Sequence, residues 1–342
     1  MKILHVITTL GVGGAEKHLL WLTAGQAGRG HAVGVAYLKG EGELTAEFAR
    51  RGVAVHRLSG EAAGGGGQKL LPLVGPLWRA RQDLVALVRR ERPDIVHTHL
   101  LKADAVGAVS ARAGGARALI ASKHNDERAL LRTPVSVVHG LLSRRVARTI
   151  ALSDHVARFI ATHGRVRAAS IRRVYYGVDA AALQPRRARA TVRAELGLPP
   201  EAPVLVCVGR LAPQKDHPTL FAALALLPPE VTLLVVGGDP FGAGEARLKA
   251  EAARLGLGER ARFLGIRHDV PDLLAASDLF VLPSLWEGLG LVFLEAMAVE
   301  LPVVASNVSA IPEVVQDGVS GWLVPPGDPA GSSCWRSSRC RA

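Results

Sequence analysis

Two glutamates, Glu287 and Glu295, stand eight residues apart in a segment, Ser284 to Ala298, that is otherwise glycine-spaced and apolar. A strand reads from Leu279 to Leu282, a turn through Pro283 and Ser284 holds Glu287, and a helix starting near Gly290 carries Glu295 on its second turn. At about 1.5 Å of rise per residue the two carboxylates lie up to ~12 Å apart, near the length that separates a sugar ring from a nucleoside ribose across a diphosphate. Carboxylates hold sugar hydroxyls through paired acceptor oxygens. A helix N-terminus flanked by Gly288 and Gly290 leaves N–H groups for the phosphates. A capping acid and a solvated helix acid would account for the same spacing. Against that stands the company of Glu295: Leu291, Val292, Leu294, Ala296 and Met297 make a charge costly there unless it has a partner.

Three other groups of residues follow strands. Gly209-Arg210-Leu211-Ala212-Pro213-Gln214-Lys215-Asp216 sets two cations around a loop that opens a helix, which suits a diphosphate; each cation alone reads as a solvated surface charge. His97-Thr98-His99 follows the short apolar run at Ile95, and period-two alternation puts both histidines on one side. His124 follows the next strand in the same way. A zinc reading lacks a third ligand nearby, and a histidine at a strand end is more often structural than catalytic. The cleft side of a doubly wound sheet is what raises His99. Leu10-Gly11-Val12-Gly13-Gly14-Ala15-Glu16 forms a glycine turn between strand and helix that lets a ligand approach the backbone. A dinucleotide fingerprint would want a small residue at Glu16 and an acid where Leu38-Lys39 stand, so a nicotinamide-cofactor reading is weak. A tight turn without a ligand also fits.

The elements that must carry these residues alternate strand and helix. Strands are expected at Ile3 to Thr8, Ala32 to Tyr37, Ile95 to His97, Leu119 to Ser122 and Thr149 to Leu152. Helices are expected at Ala15 to Ala27 and Pro76 to Arg90, and after an N-cap at Ser153. Gly64 to Gly67 reads as a loop. The grammar breaks near Tyr176-Gly177-Val178-Asp179, and Gln184 to Ala202 is a connector with one short helix. It restarts with strands at Pro203 to Val208, Val231 to Val236, Arg262 to Leu264, Leu279 to Leu282, Val303 to Ala305 and Trp322 to Val324. Such alternation implies βαβ units and parallel sheets. The expected fold is α/β, with two Rossmann-like, doubly wound domains facing a cleft. Their bounds are 1–178 and 203–329, with a linker at 179–202 and a tail at 330–342.

A length of 342 residues favours two domains. No apolar run reaches the roughly 18–20 residues needed to span a bilayer. The start of the chain, Met1 into Lys2-Ile3-Leu4, reads as a strand and not as a signal peptide. None of the three cysteines has metal-ligand spacing, which points to a reducing, cytoplasmic setting without disulfides. The formal charge of +12 favours anionic partners, although arginine on a solvated surface explains it equally. Without aromatic interleaving or a recognisable motif, nucleic acid is not expected. Basic clusters at Arg144, Arg145 and Arg148 and at Arg165, Arg167, Arg172 and Arg173 suit an anionic membrane surface.

Taken in order, these motifs resemble the retaining, GT-B-fold glycosyltransferases of glycosyltransferase family 4, from Met1 to about Pro329. The resemblance is carried by Gly13-Gly14-Ala15-Glu16, His97-Thr98-His99, Val208-Gly209-Arg210-Leu211 with Lys215, and Glu287 to Glu295. Ile311-Pro312-Glu313-Val314-Val315 and Gly318 to Val324 add to it. The resemblance implies a nucleotide-diphosphate-sugar donor in the C-terminal half. Arg210 and Lys215 would neutralise the diphosphate, Glu287 would hold the sugar and Glu295 the ribose. Backbone N–H groups at Gly288, Leu289, Gly290 and Leu291 would assist. It implies a saccharide or lipid-linked acceptor in the N-terminal half, with Gly13, Gly14 and His99 at the reacting centre and Glu16, His97 and His124 on the acceptor side. No cofactor and no divalent metal are expected.

Two departures accompany the resemblance. Tyr176 stands where the family has Asn before Gly-Val-Asp. Ala330 to Ala342 has no helical period where the family continues through several helices, and is expected to be a shifted frame or a truncation. An inactive nucleotide-sugar-binding remnant is therefore a competing reading, beside an epimerase-like sugar-nucleotide enzyme.

Overall fold

Val, Ile and Leu run too continuously through the expected strands for a sheet with one wet face, and both sheets are indeed buried on both faces. The structure, a computed structural model, describes residues 1–58, 74–239, 242 and 244–332. The loop at Gly64 to Gly67 and residues 333–342 lie outside these. The chain divides into two compact units between Tyr175 and Tyr176.

The first unit runs β1 (Lys2–Thr9), α1 (Gly14–Gly28), β2 (Ala32–Lys39), α2 (Thr45–Arg50), β3 (Ala54–Arg57) and α3 (Val74–Glu91). It continues with β4 (Ile95–His99), α4 (Leu101–Ser110), β5 (Ala118–Lys123), α5 (Thr133–Ser143), β6 (Arg148–Ala151), α6 (Asp154–Thr162) and β7 (Ile171–Arg173). Its sheet has the order β3-β2-β1-β4-β5-β6-β7, and every pairing is parallel. Leu4, Val6 and Val96 pack on one face with Leu84 and Val88 of α3 and Val106 of α4. Ile7 and Val35 pack on the other with Leu19 and Leu20 of α1 and Phe48 of α2. Ser153 caps α6, its hydroxyl accepting from Val156 N at 3.1 Å.

The second unit contains α7 (Arg189–Glu195), β8 (Val204–Val208), α8 (His217–Ala225), β9 (Thr232–Val236), α9 (Gly244–Arg254) and β10 (Ala261–Gly265). After these come α10 (Val270–Ala275), β11 (Leu279–Leu282), α11 (Leu291–Ala298), β12 (Val303–Ser306), β13 (Trp322–Val324) and α12 (Pro329–Ser332). The six strands lie in the order β10-β9-β8-β11-β12-β13, all parallel. Cys207 lies inside this sheet, and burial pushes its thiol up to about 12. Residues read as a connector are tied into this unit. Arg187 pairs with Asp269 and Asp272. Arg193 is buried, with its guanidinium 2.8 Å from Asp278 and bonded to the carbonyls of Pro200, Ala202 and Ala276.

In both sheets the strand order reverses beside the first strand of the unit: between β1 and β4 in one, between β8 and β11 in the other. Ligands of such sheets bind outside the carboxyl ends at that point. The ends of β1, β4, β5, β8 and β11, with the turns and helices that follow them, carry the residues singled out by chemistry. Three local differences from expectation stand out. β4 extends through His99, so this histidine ends the strand and does not follow it. β3 and β7 are short and were not expected. Both are edge strands of mixed polarity, Ala54-Val55-His56-Arg57 and Ile171-Arg172-Arg173, with little apolar period to detect.

Replacing Ser153 by Ala should cost about 1 kcal/mol of stability through the lost cap. Urea unfolding of the variant measures it; an unchanged midpoint would mean the bond contributes nothing.

Candidate active site

In the second unit the site is built on three loops. After β8 the chain turns through Arg210 to Lys215; the Lys215 stem runs past Gly209, where a Cβ would approach Lys215 Cε to 3.1 Å. After β11 it turns through Ser284 and Glu287. Lys215 Nζ donates to Glu287 Oε1 in a short, buried ion pair. Ser284 donates to the same oxygen at 2.7 Å. Gln214 reaches Trp286 O at 2.8 Å and Glu287 Oε2 at 3.4 Å, and its own Oε1 accepts from Arg210 Nη2 at 3.3 Å. Arg210, Gln214, Lys215, Ser284 and Glu287 therefore form one network.

Gly290 caps α11 in the left-handed region, at φ 83°. A Cβ there would also meet the Phe293 ring at 2.5 Å, so glycine is required on two counts. The helix starts at Leu291, one residue beyond expectation, and Phe293 N donates to Gly290 O at 3.0 Å. Glu295 follows on the second turn and is only 6 % exposed. Its carboxylate takes no hydrogen bond or ion pair from any described residue. A buried carboxylate in that state is costly without a partner, so the position is suited to receiving hydroxyl donors from a ligand.

The first unit gathers imidazoles. His5 and His97 are register partners on β1 and β4, and His5, His97 and His99 share the face covered by α1. His5 Nδ1 lies 2.9 Å from His99 Nε2, and His99 Nδ1 lies 2.9 Å from His124 Nε2. His5 Nε2 lies 2.8 Å from Gln26 Oε1, and His97 Nε2 lies 2.7 Å from Ser122 Oγ. His18 of α1 meets the His124 ring edge-on at 6.1 Å. His99 is fully buried with both ring nitrogens engaged, whereas His124 is the more exposed end of the row, at 9 %. Gly13 precedes α1, and Glu16, in the first turn, accepts from Thr9 Oγ1 at 2.6 Å. A Cβ at Gly13 would lie 2.4 Å from Glu16 Oε2, so the carboxylate occupies the space the glycine leaves; Gly14 is open on that side. On the opposite face Lys123, also buried, pairs with Asp104 and lies 2.8 Å from His139 Nε2.

The structure carries Gly13, Gly14, Glu16, His97, His99 and His124 on the first unit, and Arg210, Lys215, Glu287, Gly288, Leu289, Gly290, Leu291 and Glu295 on the second. Sequence reasoning missed Gln214 and Ser284, which hold Glu287, and His5, which bonds His99 and is itself bonded to Gln26. It also found no third imidazole beside His97 and His99. His5 supplies one across the sheet, and the ligand atoms of the three lie within 4.8 Å of one another. The set contains no carboxylate or thiolate, and His5 and His99 are bonded to each other. A signal for His5 exists in the sequence: alternation in β1 puts it between Ile3 and Ile7 on one face, where an apolar residue would be expected.

Residues 12–182 match the family model for Glycosyltransferase Family 4, and residues 188–333 match that for Glycosyl transferases group 1. The chain belongs to this family, and its two parallel-sheet domains are those of the GT-B fold. It is 31 % identical over 261 residues to the UDP-Gal:alpha-D-GlcNAc-diphosphoundecaprenol alpha-1,3-galactosyltransferase of Escherichia coli, across 71 % of this chain and 65 % of that one. It is 35 % identical over 245 residues to the D-inositol 3-phosphate glycosyltransferase of Mycolicibacterium gilvum, across 68 % of this chain and 55 % of that one. The matched region thus spans about half to two thirds of these relatives' length. Among solved structures, Anabaena Alr3699/HepE in complex with UDP and glucose superposes with a TM-score of 0.86 at 27 % identity, over 99 % of this chain and 91 % of that one.

Burial lowers the pKa of His5 and of His18 to about 4 and of His124 to about 3, and depresses His97 and His99 strongly. Between these values and 6.5, where an unfolded histidine titrates, the unfolded chain binds more protons than the folded one. Stability from these groups is therefore complete above pH 6.5 and falls as the pH drops toward 4, each group contributing up to about 1.4 kcal/mol per pH unit. Urea midpoints should fall steeply from pH 7 to pH 5; a flat profile would contradict the neutral, buried state of the cluster.

Proposed function

We propose that the protein transfers a sugar, with retention and without a metal, from a nucleotide-diphosphate sugar to a saccharide or lipid-linked acceptor. The observation that carries this is the pair of buried carboxylates on either side of the α11 N-terminus. Glu287 is held by Lys215 and Ser284, and Glu295 has no described protein partner. Glu287 is the sugar-hydroxyl acceptor and Glu295 the ribose acceptor, with Arg210 and Lys215 beside the diphosphate between them. Charge that develops on the departing diphosphate is met by these cations and by the N–H groups at Gly288 to Leu291, fixed before the reaction begins. The acceptor binds in the first unit beside the Gly13-Gly14 turn and the histidines. In a retaining transfer the departing phosphate oxygen takes the acceptor's proton as the new bond forms on the same face. UDP is the favoured carrier, since one relative is named for UDP-Gal and one similar structure was solved with UDP and glucose.

The setting proposed is the cytoplasmic face of a membrane, in envelope polysaccharide or glycolipid synthesis. Helix α5 supports it. Val137, Val138 and Leu141 are exposed, with Leu131 just before the helix, and the exposed Arg128, Arg132, Arg144 and Arg145 flank them. Apolar side chains ringed by arginine suit anionic headgroups. No helix among the described residues is long and apolar enough to cross a membrane.

Thermal melting in EDTA with UDP-, GDP- and ADP-sugars tests the donor site. A ligand at 100-fold its Kd adds about 2.7 kcal/mol, and Glu295→Ala should abolish the shift. Stabilisation by none of the three would overturn the donor assignment, whereas binding without turnover on any acceptor would leave a sugar-nucleotide-binding protein.

For the membrane face, the protein should co-sediment with phosphatidylglycerol vesicles at low salt, and the double substitution Val138→Asp, Leu141→Asp should release it. Equal sedimentation of the folded double variant would remove α5 from the contact.

A further inference from the structure

On one face of the first sheet, helices α4 and α5 leave two adjoining hollows over β5 and β6. The first holds about 320 Å³, at the lower end of the ~300–1,000 Å³ usual for ligand sites. Its wall is almost wholly carbon, with Ala105 and Ala108 from α4, Ala121 from β5, and Val135, Val138 and Leu142 from α5. Such a wall gives water no partners and lacks contacts that an apolar occupant would restore. The charged groups in it are bonded to each other. Lys123, the last residue of β5, pairs with Asp104 and lies 2.8 Å from His139 Nε2. They stand at the end nearest the carboxyl edge of the sheet.

The second hollow holds about 800 Å³ and lies at the amino edge. Arg112 follows α4, Arg117 precedes β5, Arg144 and Arg145 follow α5, and Arg167 precedes β7. All five line the hollow, and among the described residues no acid lines it. Arginines after helices offset the helix dipole, which accounts for Arg145, whose Nη1 donates to Ala108 O at 3.4 Å. Arg117 lies 3.5 Å from Asp94. Arg112, Arg144 and Arg167 take no ion pair from any described residue. The walls of the two hollows meet at Ala108 and Val146, and the consecutive residues Ser143 and Arg144 line one each.

We propose that the α4–α5 groove binds one anionic lipid, its phosphate on the arginines and one hydrocarbon chain in the apolar hollow. Arginine matches phosphate oxygens in charge and geometry, and the carbon wall matches the chain. A free phosphate or a neutral oil meets only half of this. The head sits at the amino edge, whereas Gly13 and His124 stand at the carboxyl edge, so this lipid is a tether and not the molecule glycosylated. Val138 belongs both to the hollow and to the exposed apolar face of α5, which gives a chain a way in from a bilayer. The source of the lipid rests on the membrane reading of α5, and nothing here depends on the transferase reading.

Calorimetric titration with lysophosphatidylglycerol, below its micelle concentration, tests the groove without a bilayer. One molecule should bind, about tenfold more tightly than lysophosphatidylcholine of the same chain. Each methylene cut from the chain should weaken binding about fourfold. Ala105→Phe fills the hollow, and Arg112→Glu with Arg144→Glu reverses the head contacts; each change should weaken binding about tenfold or more. The two arginines are exposed, so the double variant decides the matter even where Ala105→Phe fails to fold. Wild-type affinity in the folded variants would overturn the proposal, as would equal affinity for the two headgroups. Glycerol phosphate binding as tightly as the lysolipid would make this a free-phosphate site and overturn the lipid assignment. Lysolipid binding without sedimentation on vesicles would remove the membrane face of α5 and leave the groove; sedimentation without lysolipid binding would remove the groove.

Discussion

Desolvation at the carboxyl edges of two parallel sheets is the constraint on which the rest of the structure depends. A sheet covered by helices on both faces offers no water to the side chains at its centre, so any ionisable group placed there must be neutral or tied to another. The chain meets this in different ways. Lys215 and Glu287 are buried as a pair, with Ser284 and Gln214 filling the remaining bonds. Lys123 and Asp104 form a second buried pair, and Thr98 donates to Asp104 at 2.5 Å. The histidines stay neutral and bond to one another. Each solution fixes geometry as a by-product, because a partner that relieves desolvation also removes rotational freedom.

The two sites therefore present unlike chemistry on like scaffolds. The second unit concentrates formal charge at its switch point, with Arg210 and Lys215 after β8 and Glu287 after β11. The first unit holds neutral, tautomer-sensitive rings at the equivalent place, between β1 and β4. A charged edge suits a group that gains charge on leaving.

Much of this is legible in the residues alone, and the reasons for the gaps are physical. Strands such as Leu279–Leu282 and Trp322–Val324 are found at their observed limits, because turn residues close to both ends delimit the apolar run. Ser153 announces its helix through its own side chain. β3 and β7 escape because edge strands are short and polar. Residues 179–202 read as a connector because Arg and Pro look like solvent-facing composition. In the fold Arg187 and Arg193 find acids more than seventy residues away in the chain, at Asp269, Asp272 and Asp278.

Partners are harder to read than motifs. Glu287 can be picked out by spacing, but Gln214 and Ser284, which orient it, are ordinary polar residues until the β8 and β11 loops are brought side by side. The same holds for the row that ends at His124. His97, His99 and His124 follow strands and so invite attention, whereas His5 is in mid-strand and Gln26 lies on a helix that otherwise looks like cover. What sets the tautomer of a ring is the atom on its far side, and that atom belongs to another element. A site's first contacts are therefore written in local spacing, while the groups that give those contacts their protonation and direction appear only when the sheet order is known.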